Sequence, residues 1–203
     1  MDYKMDKLQK LLHVYIDNPL DPHANAELGE EYEKLGQGAA AVSYFLRASE
    51  LTHDTDPILA YNGILKTWKQ LKNTERRESF EKGQLETAIA YLPTRPEAYL
   101  FLSLWYSKRE KWKEAYMNAC LGLQYQNLEP LPYDIGYLGD WQLKFQKAFT
   151  CWYVGLRDLS NKLWLELYDD PYVDENHREI VINNCINFII CFGIFLPKMF
   201  TNI

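Results

Sequence analysis

The stretch that decides the fold runs from Ala24 to Leu51, ANAELGEEYEKLGQGAAAVSYFLRASEL. It reads as two antiparallel helices inside a period of about 34 residues that begins at Pro22. On that count Leu28 and Gly29 stand at repeat positions 7 and 8, Tyr32 at 11, Gly36 at 15, Ala41 at 20, Phe45 at 24 and Ala48 at 27. Gly29, Ala41 and Ala48 are small, so helix backbones can approach closely there. Leu28, Tyr32 and Phe45 fill the space between helices. Gly36 is placed to end the first helix, because glycine adopts the left-handed conformation that closes a helix C-terminus without a Cβ clash.

The same period orders the flanks. Residues 1–21 read as an N-terminal cap helix, with Leu8, Leu11, Leu12, Tyr15 and Ile16 on one face and Asn18-Pro19 stopping it. The first repeat occupies 22–55. The second, 56–95, starts in register because Gly63 follows Gly29 by one period; Ala60, Ile64 and Trp68 share a face of its first helix, and the polar run Lys72 to Arg77 lengthens it. The third repeat, 96–123, opens at Pro96, where a missing N–H costs nothing, and places Ser103 at position 8 and Ala115 at position 20. Residues 124–140 break the period with two prolines and two glycines among YQNLEPLPYDIGYLGD, and read as an ordered inserted loop. A fourth repeat spans 141–174, with Ala148, Gly155, Ser160 and Trp164 at positions 8, 15, 20 and 24, and a C-terminal cap helix follows at 175–190.

The expected fold is therefore all-α: a right-handed superhelical array of antiparallel helix pairs in one domain, 1–190. The apolar tail, 191–203, fits this scheme poorly. The apolar run that leads into it, Ile186 to Leu196, falls short of the roughly 20 residues that span a bilayer. It is either further capping helix or, the favoured reading, the relic of a truncated or shifted reading frame that once led into another domain.

Composition narrows the function. Of 203 residues, 47% are hydrophobic and 25% charged, as in an ordinary globular chain, and the aromatic share of 15% is high. A formal net charge of -6 argues against a nucleic-acid binder, which normally presents a basic face. Cys120, Cys151, Cys185 and Cys191 form no CxxC pair and suit free thiols in a reducing cytoplasm. The opening MDYKMDKLQK has no signal-peptide apolar core.

Four phrases carry a more particular likeness: YIDNPLDPHANAELGEEYEKLGQGAAAVSYFLRASE, LPTRPEAYLFLSLWYSKREKWKEAY, GYLGDWQLKFQKAFTCWYVGLRDLS and ENHREIVINN. Together, over about residues 10–188, they resemble a tetratricopeptide (TPR) module of marine phage and bacterial proteins, often set beside a glycosyltransferase or other sugar-modifying domain. The resemblance implies a protein-binding scaffold associated with glycan or cell-envelope modification. Two alternatives follow from it: a fragment or accessory region of a glycosyltransferase, and a glycan-binding module. Family members often carry an acidic residue where this chain has Gln146, and the Lys/Asn clamp by which some hold a peptide carboxylate is missing.

Chemistry-bearing patterns are few. Asp54-Thr55-Asp56 spells the DxD signature of nucleotide-sugar transferases, whose carboxylates hold a divalent cation. Here it falls in the turn between two helical repeats, where an aspartate caps the next helix. The four histidines are scattered, and the basic run Lys108 to Lys113 reads as a solvated turn. The sequence thus predicts no catalytic residue, no metal and no cofactor. It predicts a protein or peptide partner.

Groove-lining positions of the resembled family fall on His23, Ala26, Glu30, Glu33 and Lys34 in repeat 1, and on aromatics in repeat 4. The expected docking surface comprises Leu100, Leu104, Phe145, Phe149, Trp152 and Tyr153, unless the loop at 124–140 folds back and fills it.

Overall fold

The computed structural model describes residues 2–71, 78–125 and 128–192. The run Lys72 to Arg77, expected to lengthen repeat 2, and tail residues 193–203 lie outside them. Among the described residues there are ten helices and no strand: α1 (Asp2–Asp17), α2 (Pro22–Lys34), α3 (Gly38–Thr52), α4 (Pro57–Leu71), α5 (Glu78–Tyr91), α6 (Glu97–Ser107), α7 (Trp112–Gly122), α8 (Asp140–Tyr153), α9 (Arg157–Tyr168) and α10 (Glu175–Phe192). The all-α array of helix pairs is the one the periodicity predicts. Two compact units divide the chain: Met1–Ala98 with Asn127–Tyr137, and Tyr99–Gln126 with Leu138–Ile203.

In the first unit, Asp21 starts α2 by accepting hydrogen bonds from the backbone N–H groups of His23 (2.8 Å) and Ala24 (3.2 Å), with Pro22 in the first turn. Gly36 ends that helix at φ +73°: the Gln37 N–H donates to the Tyr32 carbonyl and the Gly36 N–H to the Glu33 carbonyl, both at 2.9 Å. This is the glycine-closed C-terminus expected from the sequence. Leu28, Ala41, Phe45 and Ala48 are all buried, and side chains the size of Leu28 and Phe45 contribute about 1.5–3 kcal/mol each on burial.

Gly63 brings α4 onto α3, because a Cβ there would stand 2.8 Å from the Phe45 carbonyl oxygen. Asp56 caps α4 through the Leu59 N–H at 3.0 Å, so the second aspartate of the DxD stretch serves a helix start. Against α2 lies α1, held by Lys7–Glu31 (2.7 Å), while Tyr44 of α3 meets Tyr15 of α1 edge-on and stacks on Tyr32 of α2.

The second unit repeats the logic with different residues. The Ser103 hydroxyl donates to the Ala115 carbonyl at 2.7 Å, and the Ser160 hydroxyl to the Ala148 carbonyl at 2.7 Å. Positions 8 and 20 thus meet in both pairs. Position 15 again turns left-handed, at Gly155 (φ 85°) and at Glu110 (φ 56°), a non-glycine residue in that conformation. Trp141, Ala148, Cys151, Leu163, Trp164, Leu167, Val181 and Cys185 form one core cluster. Burial pushes the Cys151 and Cys185 thiols up to about 11, so both are packing groups and not nucleophiles at neutral pH.

Candidate functional site

The most elaborate polar constellation lies in the first unit, where α2 and α4 face the segment 128–137. On α2, Ala26, Glu30 and Glu33 follow one another at spacings of four and three. On α4, Leu59, Asn62, Lys66 and Lys69 follow at three, four and three, so each set lines one helical stripe. Asn62 is fully buried. Its side-chain amide donates to the Tyr133 carbonyl at 2.9 Å, and its side-chain oxygen accepts from the Tyr133 N–H at 2.8 Å. One side chain therefore satisfies both main-chain groups of one residue, as a neighbouring β-strand would.

Lys66 continues the contact. Its ammonium, 2% exposed, donates to the Asp134 carbonyl at 3.0 Å and pairs with Glu30 and with Glu33 (2.5 Å). A charge this buried is tolerable only when paired and hydrogen-bonded, and the two glutamates supply the pairing. Lys69 reaches the same carbonyl at 3.3 Å and the Asp134 carboxylate at 3.9 Å.

At the far end Arg95 donates to the Glu129 carbonyl at 3.0 Å. Its guanidinium is anchored on Glu97, which also accepts from the Tyr61 hydroxyl at 3.3 Å. Burial, and then the neighbouring Glu97 carboxylate, hold the Tyr61 hydroxyl well above its ordinary pKa, so it stays a proton donor.

Side chains of the seated segment alternate. Leu131, Tyr133, Ile135 and Tyr137 are wholly or partly buried, while Pro132, Asp134, Gly136 and Leu138 are exposed, the period of an extended chain. Tyr133 packs against the apolar cluster of Ala26, Ala48 and Leu59. Its hydroxyl is pushed up to about 12, mainly by burial and then by Glu27 and Glu30.

Periodicity assigned Ala26, Glu30 and Glu33 to a groove but gave no sign of Asn62, Lys66 or Arg95. The alternation of apolar residues at 131, 133, 135 and 137 was the available signal. Of the inserted loop, for which the sequence left open whether it fills the groove of repeat 4, residues 128–137 group with the first unit.

The six residues expected to form the docking surface lie in the second unit and divide by exposure. Leu100 is 2% exposed and belongs to the interior; Phe145 is partly buried, edge-on to Trp164 (5.0 Å) and His177 (5.1 Å). Phe149 is partly buried between Trp112 (6.0 Å) and Tyr153 (5.2 Å). Open to solvent are Leu104, Trp152 and Tyr153, with Tyr153 stacked on Trp112 at 4.0 Å and Arg157 lying over Trp152 at 4.9 Å. Gln146 is buried, its amide reaching the Ser107 hydroxyl at 3.4 Å.

Among the described residues no group of three or more His, Cys, Asp or Glu is arranged to hold a metal ion, and no helix is long and apolar enough to cross a membrane. No protein-family profile and no curated protein matches the chain. Solved structures do. MamA 41-end from Desulfovibrio magneticus RS-1 is similar at TM-score 0.58 and 14% identity, over 82% of this chain and 84% of that one. A crystal structure of MamA is similar at TM-score 0.57 and 14% identity, over 94% and 98%. MamA is a TPR-like helical-repeat protein, and at this identity the likeness is one of fold.

Proposed function

We propose that this chain is a non-catalytic scaffold that binds a protein partner. The observation that carries the reading is the first unit's grip on an extended stretch of main chain: Asn62, Lys66, Lys69 and Arg95 all bond carbonyl oxygens, and Asn62 takes an N–H as well. Side chains that satisfy a backbone serve peptide recognition, and a helical-repeat fold is suited to presenting them along one face.

A second surface is favoured by the open aromatics of the second unit. Trp152 and Tyr153 are about half exposed, and aromatic anchors often dominate binding energy. With Phe149 and Trp112, against which Tyr153 packs, they offer a docking face for an apolar protein surface or, as the alternative, for the apolar face of a sugar ring. The sequence resemblance names sugar-modifying enzymes as the partner class. The free thiols of Cys120, Cys151 and Cys185 suit work in a reducing compartment such as the cytoplasm.

Peptide-array and glycan-array binding, run side by side on the whole chain, test the reading. Binding to peptides supports it. A glycan signal alone, lost in Trp152→Ala, would reassign the chain to sugar binding. Silence on both arrays, from the unaltered chain and from a folded Tyr133→Ser chain alike, would refute it.

A further inference from the structure

The residues that hold segment 128–137 are more specialised than a loop anchor requires. Asn62, Lys66 and Arg95 are each more than nine-tenths buried, yet all three end on main-chain atoms of one short extended stretch. Main-chain contacts do not depend on which side chains the stretch carries. What the groove reads by identity is narrow: an aromatic ring against Ala26, Ala48 and Leu59, and an acidic residue next to it, facing Lys69.

Resting on the scaffold reading above, we propose that residues 131–135, Leu-Pro-Tyr-Asp-Ile, are an intramolecular stand-in for a partner peptide. The groove between α2 and α4 takes an extended protein segment bearing an aromatic residue followed by an acidic one, and the chain's own copy keeps it closed until displaced. The tether makes this closure effective. A segment linked to its own groove competes at an effective concentration on the order of millimolar, so a free peptide of equal intrinsic affinity is largely excluded at micromolar concentration. Weakening the tethered copy raises the fraction of open grooves, and the apparent affinity for a free peptide rises in proportion.

The probe is a fluorescein-labelled peptide with the sequence of residues 128–137, LEPLPYDIGY, titrated by fluorescence anisotropy into the full chain. Tyr133→Ser is expected to bind it at least about tenfold more tightly than the unaltered chain, and adding Asn62→Ala to Tyr133→Ser is expected to abolish that gain. A folded Tyr133→Ser chain that binds no better, or whose binding ignores Asn62→Ala, overturns the proposal.

Should Tyr133→Ser fail to fold, hydrogen exchange on the unaltered chain decides. Saturating unlabelled peptide must speed exchange across residues 128–137, and unchanged protection overturns the proposal. A peptide-array signal that survives either negative result leaves the scaffold reading standing.

Discussion

Replacing Asn62 with alanine tests the main-chain grip directly. The substitution removes both hydrogen bonds to Tyr133 and leaves its N–H and C=O without their partner. If the segment stayed in place, two desolvated backbone groups would cost about 1–3 kcal/mol each. The segment has an escape, because water satisfies both groups once it detaches. The observed cost is therefore capped by the free energy that seats it. That includes the burial of Tyr133, about 1.5–3 kcal/mol for a comparable fully buried side chain, and the Lys66 and Lys69 bonds to Asp134. We expect a loss of about 2–3 kcal/mol, which for a chain of this size lowers Tm by about 4–12 °C.

Circular dichroism melts measure the loss, and limited thermolysin digestion reports where it falls: cleavage should rise within 128–137 while α2 and α4 remain intact. An Asn62→Ala chain that melts with the unaltered protein and keeps 128–137 protected would refute the assignment of Asn62 as the holding residue.

Glu110→Gly should stabilise the chain. Relief of the left-handed conformation at φ 56° is worth about 1–2 kcal/mol. Glycine's greater unfolded-state entropy takes back about 0.4–1 kcal/mol. Urea denaturation should therefore show a net gain of about 0.5–1 kcal/mol, and a loss would contradict the strain. Ala48→Leu, at a fully buried helix crossing, should cost about 1–3 kcal/mol by overpacking; a neutral result in the same assay would mean the crossing has room.

Glu31 is held below its usual 4.5 by hydrogen bonds from Lys7 and then Lys34. A depressed carboxyl contributes stability that is fully present above the unfolded value and lost as pH falls through the folded one. The Tm gap between the unaltered chain and Glu31→Gln should hold constant above about pH 5 and close below about pH 4.5. A gap that is unchanged at pH 3.5 would argue against the ion pairs.

Legibility in the sequence followed the physics of each feature. Packing positions were readable because close helix approach demands particular sizes: Ala41 and Ala48 had to be small, and both are fully buried. Gly36 was readable because few other residues accept its φ, yet the same demand at Glu110 went unseen, since a charged residue there carries no glycine signal. The groove was the least readable part. Asn62 and Lys66 are polar residues on a helix, ordinarily read as solvent-facing, and nothing in their identity says that they end on a carbonyl 71 or 68 residues away. Prolines and glycines marked 124–140 as a loop and so drew attention from its two-residue alternation. The aromatics of α8 were readable as a set but not in their exposure: spacing put Phe145, Phe149 and Trp152 on one face, while neighbours such as Trp164 and His177 decide how far each is covered.

The two helix crossings of the second unit carry a consequence for anyone recombining such repeats. In the α6–α7 hairpin the hydroxyl sits on the first helix and the methyl on the second; in α8–α9 the order is reversed. Each hairpin is thus a matched key. A chimera pairing α6 with α9 would crowd two hydroxyls into one crossing, and one pairing α8 with α7 would leave that crossing without a hydroxyl bond. Whole hairpins are therefore the interchangeable modules of this chain, and single helices are not.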